Sequence, residues 1–181
     1  MQMPGRVTSG TTCSLEPTVS IAPRPLLAAV GTVGVGALAL AAFLQHARGF
    51  EPCPWCVFQR LLLMLIVVAA WLGAAMPSRS GRARVGVGLV ALALSLSGLS
   101  VALYQHFVAA QTASCALTLA DRVIGGLGLA ELWPAMFEAT ARCDEADLPW
   151  LGIPFSLWGA ATFVLTAALS GMVLLRRSWH A

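Results

Sequence analysis

Residues 55–76 read WCVFQRLLLMLIVVAAWLGAAM, an apolar run interrupted only by Gln59 and Arg60 in its first turns. A helix that spans a bilayer needs about 20 mostly apolar residues. The run is continuous and does not alternate between polar and apolar positions, which favours a helix over a strand. The segment therefore predicts a transmembrane helix.

Three more segments meet the same criterion, at about residues 26–44, 85–107 and 155–175. Across the 181 residues, 58% are hydrophobic and only 10% are charged, and the mean hydropathy is +0.80, far from that of a soluble domain. The sequence predicts an all-α membrane protein, a four-transmembrane-helix bundle that forms a single domain over residues 25–178. Residues 1–24, rich in Ser, Thr and Pro, are expected to form a disordered tail.

The first apolar run has one alternative interpretation, a signal peptide that follows Arg24. The run is longer than the usual apolar region of 7–15 residues in such peptides, and no clear small-x-small cleavage motif follows it. Loss of this segment would also leave three spans and break the charge asymmetry between the two faces. We therefore interpret it as the first span.

Arginine supplies every basic residue and is unevenly divided between the two faces of the predicted bundle. One face carries seven of the eleven: Arg6, Arg24, Arg79, Arg82, Arg84, Arg176 and Arg177. The other face carries four arginines and seven of the eight acidic residues. The positive-inside rule makes the first face cytoplasmic, together with both termini, and leaves segments of about 45–54 and 108–154 outside. No dense basic run is present, so we expect no nucleic-acid partner.

Four of the five cysteines fall on the outer face in this topology, where disulfides persist. Cys53 and Cys56 stand where the short outer segment enters the second span, and Cys115 and Cys143 lie in the long outer segment. Cys13 is alone in the tail and is interpreted as a free thiol without a role. The four outer cysteines are therefore the candidate catalytic residues.

The stretch EPCPWCVFQR at 51–60 places the first pair at a helix end. Pro54 suits the first helical position, where its missing N–H group costs no hydrogen bond. Unpaired N–H groups and the positive end of the helix dipole favour a thiolate over a thiol there. A stable thiolate is a good leaving group and a good electron donor, so the pattern favours redox turnover.

Other uses of a C-x-x-C pair are weighed against this interpretation. Covalent haem attachment needs His after the second cysteine, and residue 57 is Val. Structural zinc usually takes two close pairs of ligands, whereas Cys115 and Cys143 lie 28 positions apart, so no metal site is expected. A static disulfide between Cys53 and Cys56 is the main alternative, but a two-residue loop gains little from closure.

Two ionisable residues near the outer ends of spans have open roles by sequence alone. Arg60, one turn beyond Cys56, fits a membrane anchor whose guanidinium reaches the headgroups, and it fits a ligand donor equally well. His106, near the end of the third span, is either a solvated boundary residue or a functional group.

In the long outer segment, apolar residues recur at helical spacing from Leu129 to Phe137, which predicts a short amphipathic helix at the membrane surface, interrupted by Pro134.

Two motifs resemble those of one membrane family. CPWCVFQR at 53–60 is similar to the signature at the start of the second helix of the DsbB family, the disulfide bond formation protein B of bacterial inner membranes. CDEADLPWLGIPFSLW at 143–158 is similar to that family's second loop cysteine and its run into the fourth helix. The resemblance extends from the first span to Leu175.

The resemblance implies a quinone-dependent thiol oxidase with its cysteines in the periplasm. Cys115 would be attacked by the thiolate of a periplasmic DsbA-like thioredoxin-fold protein, Cys143 would relay to Cys53, and Cys56 would donate to ubiquinone or menaquinone from the membrane pool. Arg60 and His106 would bind the quinone. The vitamin K epoxide reductase-like family couples the same reactants, but its C-x-x-C lies at the fourth core helix, and the fourth span here has no cysteine. A transporter is disfavoured because the spans hold few polar groups.

Overall fold

The computed structural model describes residues 23–77, 81–111 and 117–175. Its four long helices are each apolar and long enough to cross a membrane. They are α1 (Pro23–Arg48), α2 (Pro54–Ala75), α3 (Gly81–Phe107) and α8 (Phe155–Leu175). The predicted all-helical, four-span fold is confirmed, and the main difference is that α1 and α3 extend a few residues beyond their apolar cores. The predicted tail, including Cys13, lies outside the described residues except for its last two positions.

The outer segment between α3 and α8 contains short elements. After a 3₁₀ turn at Ala109–Gln111 come α4 (Leu119–Gly126), α5 (Leu129–Leu132), α6 (Pro134–Phe137), α7 (Cys143–Ala146) and an antiparallel hairpin of β1 (Pro149–Trp150) and β2 (Ile153–Pro154). The helical pattern predicted for 129–137 is present but divided at Trp133. Pro134 starts α6 because a proline without an N–H group is tolerated at a first helical position and not inside a helix.

This outer segment packs onto the bundle through α2. Ile124 of α4 and Phe137 of α6 are buried against Val57, near the beginning of α2. Leu132, at the end of α5, and Trp133, between α5 and α6, are exposed. The apolar residues between α4 and α6 are thus shared between the protein core and an outward face, which is the division expected of an amphipathic element.

The bundle core depends on a close approach of α3 and α8. Phe163 of α8 is fully buried, and its ring occupies the space where a Cβ atom at Gly98 of α3 would lie. Glycine at position 98 therefore sets the distance between the two helices, as small residues do at helix contacts in membranes.

We expect Gly98→Ala to destabilise the protein by about 1–3 kcal/mol, the usual cost of overpacking a core. Denaturant unfolding in detergent measures this change. Gly86→Ala, on the same helix but with open space around the added methyl group, is the matched control and should be nearly neutral. Equal losses in both variants would contradict the packing argument.

Candidate active site

Cys53 and Cys56 form a dithiol at the beginning of α2. Cys53 is the residue before the helix, and its Sγ accepts a hydrogen bond from the backbone N–H of Cys56 at 3.4 Å. Pro54 occupies the first helical position, as the sequence predicts. The two sulfur atoms lie 3.0 Å apart, and both cysteines are free thiols.

Cys143 joins this pair because the outer segment is fastened beside it. The backbone N–H groups of Thr140 and Ala141 donate to the carbonyl oxygen of Pro52, at 3.0 and 3.3 Å. α7 then begins at Cys143, whose thiol lies close enough to that of Cys53 for each to change the pKa of the other. The structure thus brings together three of the four predicted cysteines. Cys115 lies outside the described residues.

The protonation of the outer two thiols follows from their contact. The hydrogen bond from Cys53 lowers the pKa of the Cys143 thiol, although partial burial opposes this change. The hydrogen bonds to Cys143 and Cys56, together with burial, raise the pKa of the Cys53 thiol. In the reduced state Cys143 is therefore the more acidic of the two, and Cys53 keeps its proton.

Two buried amides approach Cys56 from within the bundle. Gln105 of α3 donates from Nε2 to the Cys56 sulfur at 3.1 Å, and its Oε1 accepts from Nε2 of Gln59 at 2.5 Å. Both glutamines are buried. A Cβ at Gly159 would lie only 2.5 Å from Oε1 of Gln59, so the absence of a side chain there makes room for this amide. The Cys56 sulfur therefore accepts from Gln105 and lies in contact with the Cys53 sulfur, an environment that suits a thiolate acceptor.

Cys56 also borders a cavity between the four long helices. The polar or sulfur-containing residues that line it are Cys56, Gln59, Arg60, Gln105, Ser156 and Thr162. The apolar ones are Ala37, Leu40, Ala41, Leu63, Phe155 and Trp158, with Gly159 completing the wall. An apolar cavity with a few convergent hydrogen-bond donors is suited to a flat, largely apolar molecule that carries acceptor oxygens.

Arg60 lies at the outer end of this cavity, with only 5% of its surface exposed. Its Nη1 donates to Oε1 of Gln45 at 2.6 Å and to the carbonyl oxygen of Met136 at 3.1 Å. The guanidinium therefore connects the end of α1, the beginning of α2 and the outer helix α6. These contacts are made with the protein, whereas a headgroup anchor would point its guanidinium away from the bundle.

His106 belongs to a different set of contacts. Its Nδ1 lies 3.2 Å from Oδ2 of Asp147 and 3.0 Å from Oγ of Ser156. It does not line the cavity described above, which Ser156 does. A direct contact between His106 and a ligand there stays a prediction from the sequence. In residues 23–77, 81–111 and 117–175, no group of three His, Cys, Asp or Glu side chains is placed to hold a metal ion.

Comparison with known proteins gives the family. The family model of the disulfide bond formation protein DsbB matches residues 23–173. The chain belongs to the DsbB family. Among its curated DsbB relatives, the disulfide bond formation protein B of Polaromonas sp. is 37% identical over 158 residues, which cover 86% of this chain and 92% of the relative. Disulfide bond formation protein B 1 of Pseudomonas savastanoi pv. phaseolicola is 34% identical over 155 residues, covering 84% and 90%.

Four residues of this DsbB site were not predicted as site residues from the sequence: Gln59, Gln105, Asp147 and Ser156. Gln59 and Gln105 are uncharged polar residues within apolar helices, and that rarity was a usable signal. Asp147 and Ser156 gave no such signal, because one lies in a polar segment and the other at the start of a span. Their importance becomes visible only when the fold places them beside His106.

Proposed function

We propose that this chain is a dithiol:quinone oxidoreductase of the bacterial inner membrane that reoxidises a periplasmic DsbA-like protein. The observation that carries the proposal is the position of Cys53 between Cys143 and Cys56, with Cys56 bordering an apolar cavity within the membrane-spanning helices. The Cys53 sulfur thus faces the segment that a protein substrate can reach. The Cys56 sulfur faces the region that a lipid-soluble oxidant can reach.

The thiol steps are successive disulfide exchanges. The partner's thiolate attacks Cys115 and breaks a Cys115–Cys143 disulfide, which releases Cys143 as a thiolate. Cys143 attacks Cys53, breaks the Cys53–Cys56 disulfide and leaves a thiolate on Cys56. The partner's second thiol then releases Cys115, and Cys115 attacks Cys143 to regenerate the outer disulfide. The partner leaves oxidised, and Cys53 and Cys56 remain as a dithiol.

Ubiquinone or menaquinone, when bound, supplies a two-electron acceptor for this dithiol. The cavity residues fit such a molecule, since Arg60 and Gln105 offer donors for carbonyl oxygens, and Phe155 and Trp158 offer apolar faces for a ring. Gln105 additionally holds the Cys56 sulfur in place. His106, assigned to the quinone by resemblance, does not line the cavity itself. It contacts Ser156, which does.

The proposed location follows from charge and hydropathy. The four long helices support a multi-pass membrane protein, and the arginine distribution supports cytoplasmic termini with periplasmic cysteines. Residues 25–178 would then act as one domain, whose outer segment receives the partner and whose helices receive the quinone.

Purified protein in detergent, mixed with a reduced DsbA-type protein and a soluble quinone analogue, tests the proposal. We expect the quinone absorbance to decay while disulfide appears in the partner, with one disulfide formed per quinone reduced. A sample without the partner should show no sustained decay. Absence of decay in the complete mixture would contradict the proposed function.

A further inference from the structure

The proposed reaction leaves one proton unaccounted for. When a Cys53 thiol and a Cys56 thiolate form a disulfide, two electrons and one proton are released. Reduction of a quinone to a quinol takes two electrons and two protons. One further proton must therefore reach the cavity from outside the dithiol, and it has to cross a wall formed mainly by apolar side chains.

A hydrogen-bonded network crosses that wall beside Cys56. Ser156, at the start of α8, lines the cavity and is 2% exposed. Its hydroxyl donates to Oδ2 of Asp147 at 3.0 Å, and the same Oγ lies 3.0 Å from Nδ1 of His106. The side chains of His106 and Asp147 are 22% and 9% exposed. Exposure thus increases from the cavity-lining residue Ser156 to the His106 imidazole, which gives the network an inner end and an outer end.

We propose that Ser156 and His106 form the route by which the second proton reaches the quinone; this inference rests on the proposed function. The Ser156 hydroxyl turns its proton from Asp147 into the cavity and recovers one from Nδ1–H of His106. Nε2 of His106 takes up a proton from the periplasmic side in the same step, so the ring stays neutral and is left protonated at Nε2. Exchange with water then returns the ring to its Nδ1-protonated form. Counting this proton, a thiol, a thiolate, a proton and a quinone give a disulfide and a quinol, with charge conserved.

Asp147 is the positioning residue of the relay. An ionised carboxylate can only accept hydrogen bonds, so its contact with Nδ1 requires that nitrogen to carry the proton. Its other oxygen accepts from the backbone N–H of Ser156 at 2.9 Å, which fixes the serine at the cavity wall. The neighbouring charged residues Arg142, Asp144 and Glu145 make ion pairs among themselves. Asp147 is in direct contact with the imidazole, with Oδ2 3.2 Å from Nδ1 of His106.

The alternative is that the network has a purely structural role as a clamp. Its hydrogen bonds would then hold together α3, α8 and the segment that follows α7. The two roles are separable, because a clamp needs hydrogen bonds and a relay needs a group that gains and loses protons. His106→Gln keeps a side-chain donor for Asp147 and Ser156 but cannot exchange protons near neutral pH. His106→Ala removes the group and leaves space for a small base.

The test measures single-turnover quinone reduction by protein whose Cys53 and Cys56 have been reduced in advance. We expect His106→Ala and His106→Gln each to slow it about 100-fold, the low end for loss of general acid–base catalysis. Added imidazole should raise the rate of His106→Ala in proportion to its concentration. His46→Ala is the matched control, because His46 is exposed and its Nδ1 lies 2.8 Å from the carbonyl oxygen of Ala42 in its own helix.

Two outcomes would overturn the relay. One is a normal rate in His106→Gln, which would show that hydrogen bonding alone suffices. The other is a loss in His106→Ala that imidazole does not restore, which is the behaviour of a clamp. Exchange between the reduced partner and the disulfides should be normal in each variant. If the wild-type protein exchanges thiols but does not reduce quinone, the proposed function itself fails.

A second readout needs no quinone. ¹⁵N NMR of histidine-labelled protein should show the neutral ring of His106 protonated at Nδ1 and unprotonated at Nε2. Asp147→Asn should remove this preference, while His46 should be unchanged. The opposite tautomer in the wild-type protein would leave Nδ1 without a proton to give and would overturn the proposed direction of transfer.

Discussion

A Cys56→Ser protein is expected to reduce quinone no faster than a sample without protein. Cys56 is the one thiol that borders the cavity among the described residues, and its sulfur accepts from Gln105 and lies 3.0 Å from the Cys53 sulfur. A serine hydroxyl at this position can neither form a disulfide with Cys53 nor deliver two electrons. Because its replacement is nearly isosteric, the fold should be kept.

The same variant should accumulate a disulfide between Cys53 and Cys143. Those thiols lie close enough to change each other's pKa, and without Cys56 no second thiol is present on α2 to displace Cys143. Peptide mapping of non-reduced protein after treatment with oxidised partner measures the cross-link. Cys13→Ser is the matched control, with normal turnover and no cross-link. Normal quinone reduction by Cys56→Ser would remove Cys56 from the proposed electron path.

The sequence predicted the bundle well because its determinants are local. A run of about 20 apolar residues has few structural options in a bilayer, so hydropathy identified all four spans. The beginning of α2 was predictable for a similar reason, since Pro54 suits one helical position and Cys53 precedes it. At 129–137 the interruption at Pro134 was also predictable, and the structure shows that the proline divides the pattern into two short helices.

The site was less predictable because its contacts are long-range. Gln105 reaches Cys56 across 49 positions, and His106 reaches Ser156 across 50. Spacing along one helix cannot show which face meets a neighbouring helix, so His106 was selected as the polar group at this end of α3. In the structure its neighbour Gln105, about 100° around the helix, lines the cavity, whereas His106 contacts the cavity-lining residue Ser156.

Arg60→Met should raise the quinone KM about 10- to 100-fold while the KM for the reduced partner changes little. A hydrogen bond that involves a charged group is worth about 1.5–3 kcal/mol, and each 1.4 kcal/mol corresponds to a factor of ten. Methionine has a similar length and fills the same space, so the loss should come from the missing donor. Arg48→Met, at the exposed end of α1, is the matched control for removal of one outer positive charge.

The contacts of Arg60 also predict how its loss affects the outer segment. Its Nη1 holds both Gln45 and the carbonyl oxygen of Met136, so the methionine variant should loosen α6 from the bundle. Amide hydrogen exchange in residues 134–137 measures this and should rise in Arg60→Met but not in Arg48→Met. If amide exchange rises while the quinone KM is unchanged, Arg60 stabilises the packing of the outer segment and does not donate a hydrogen bond to the quinone. If both change together, the same guanidinium links the quinone cavity to the segment that carries Cys143, so that quinone binding and the position of the relay cysteine are coupled through one side chain.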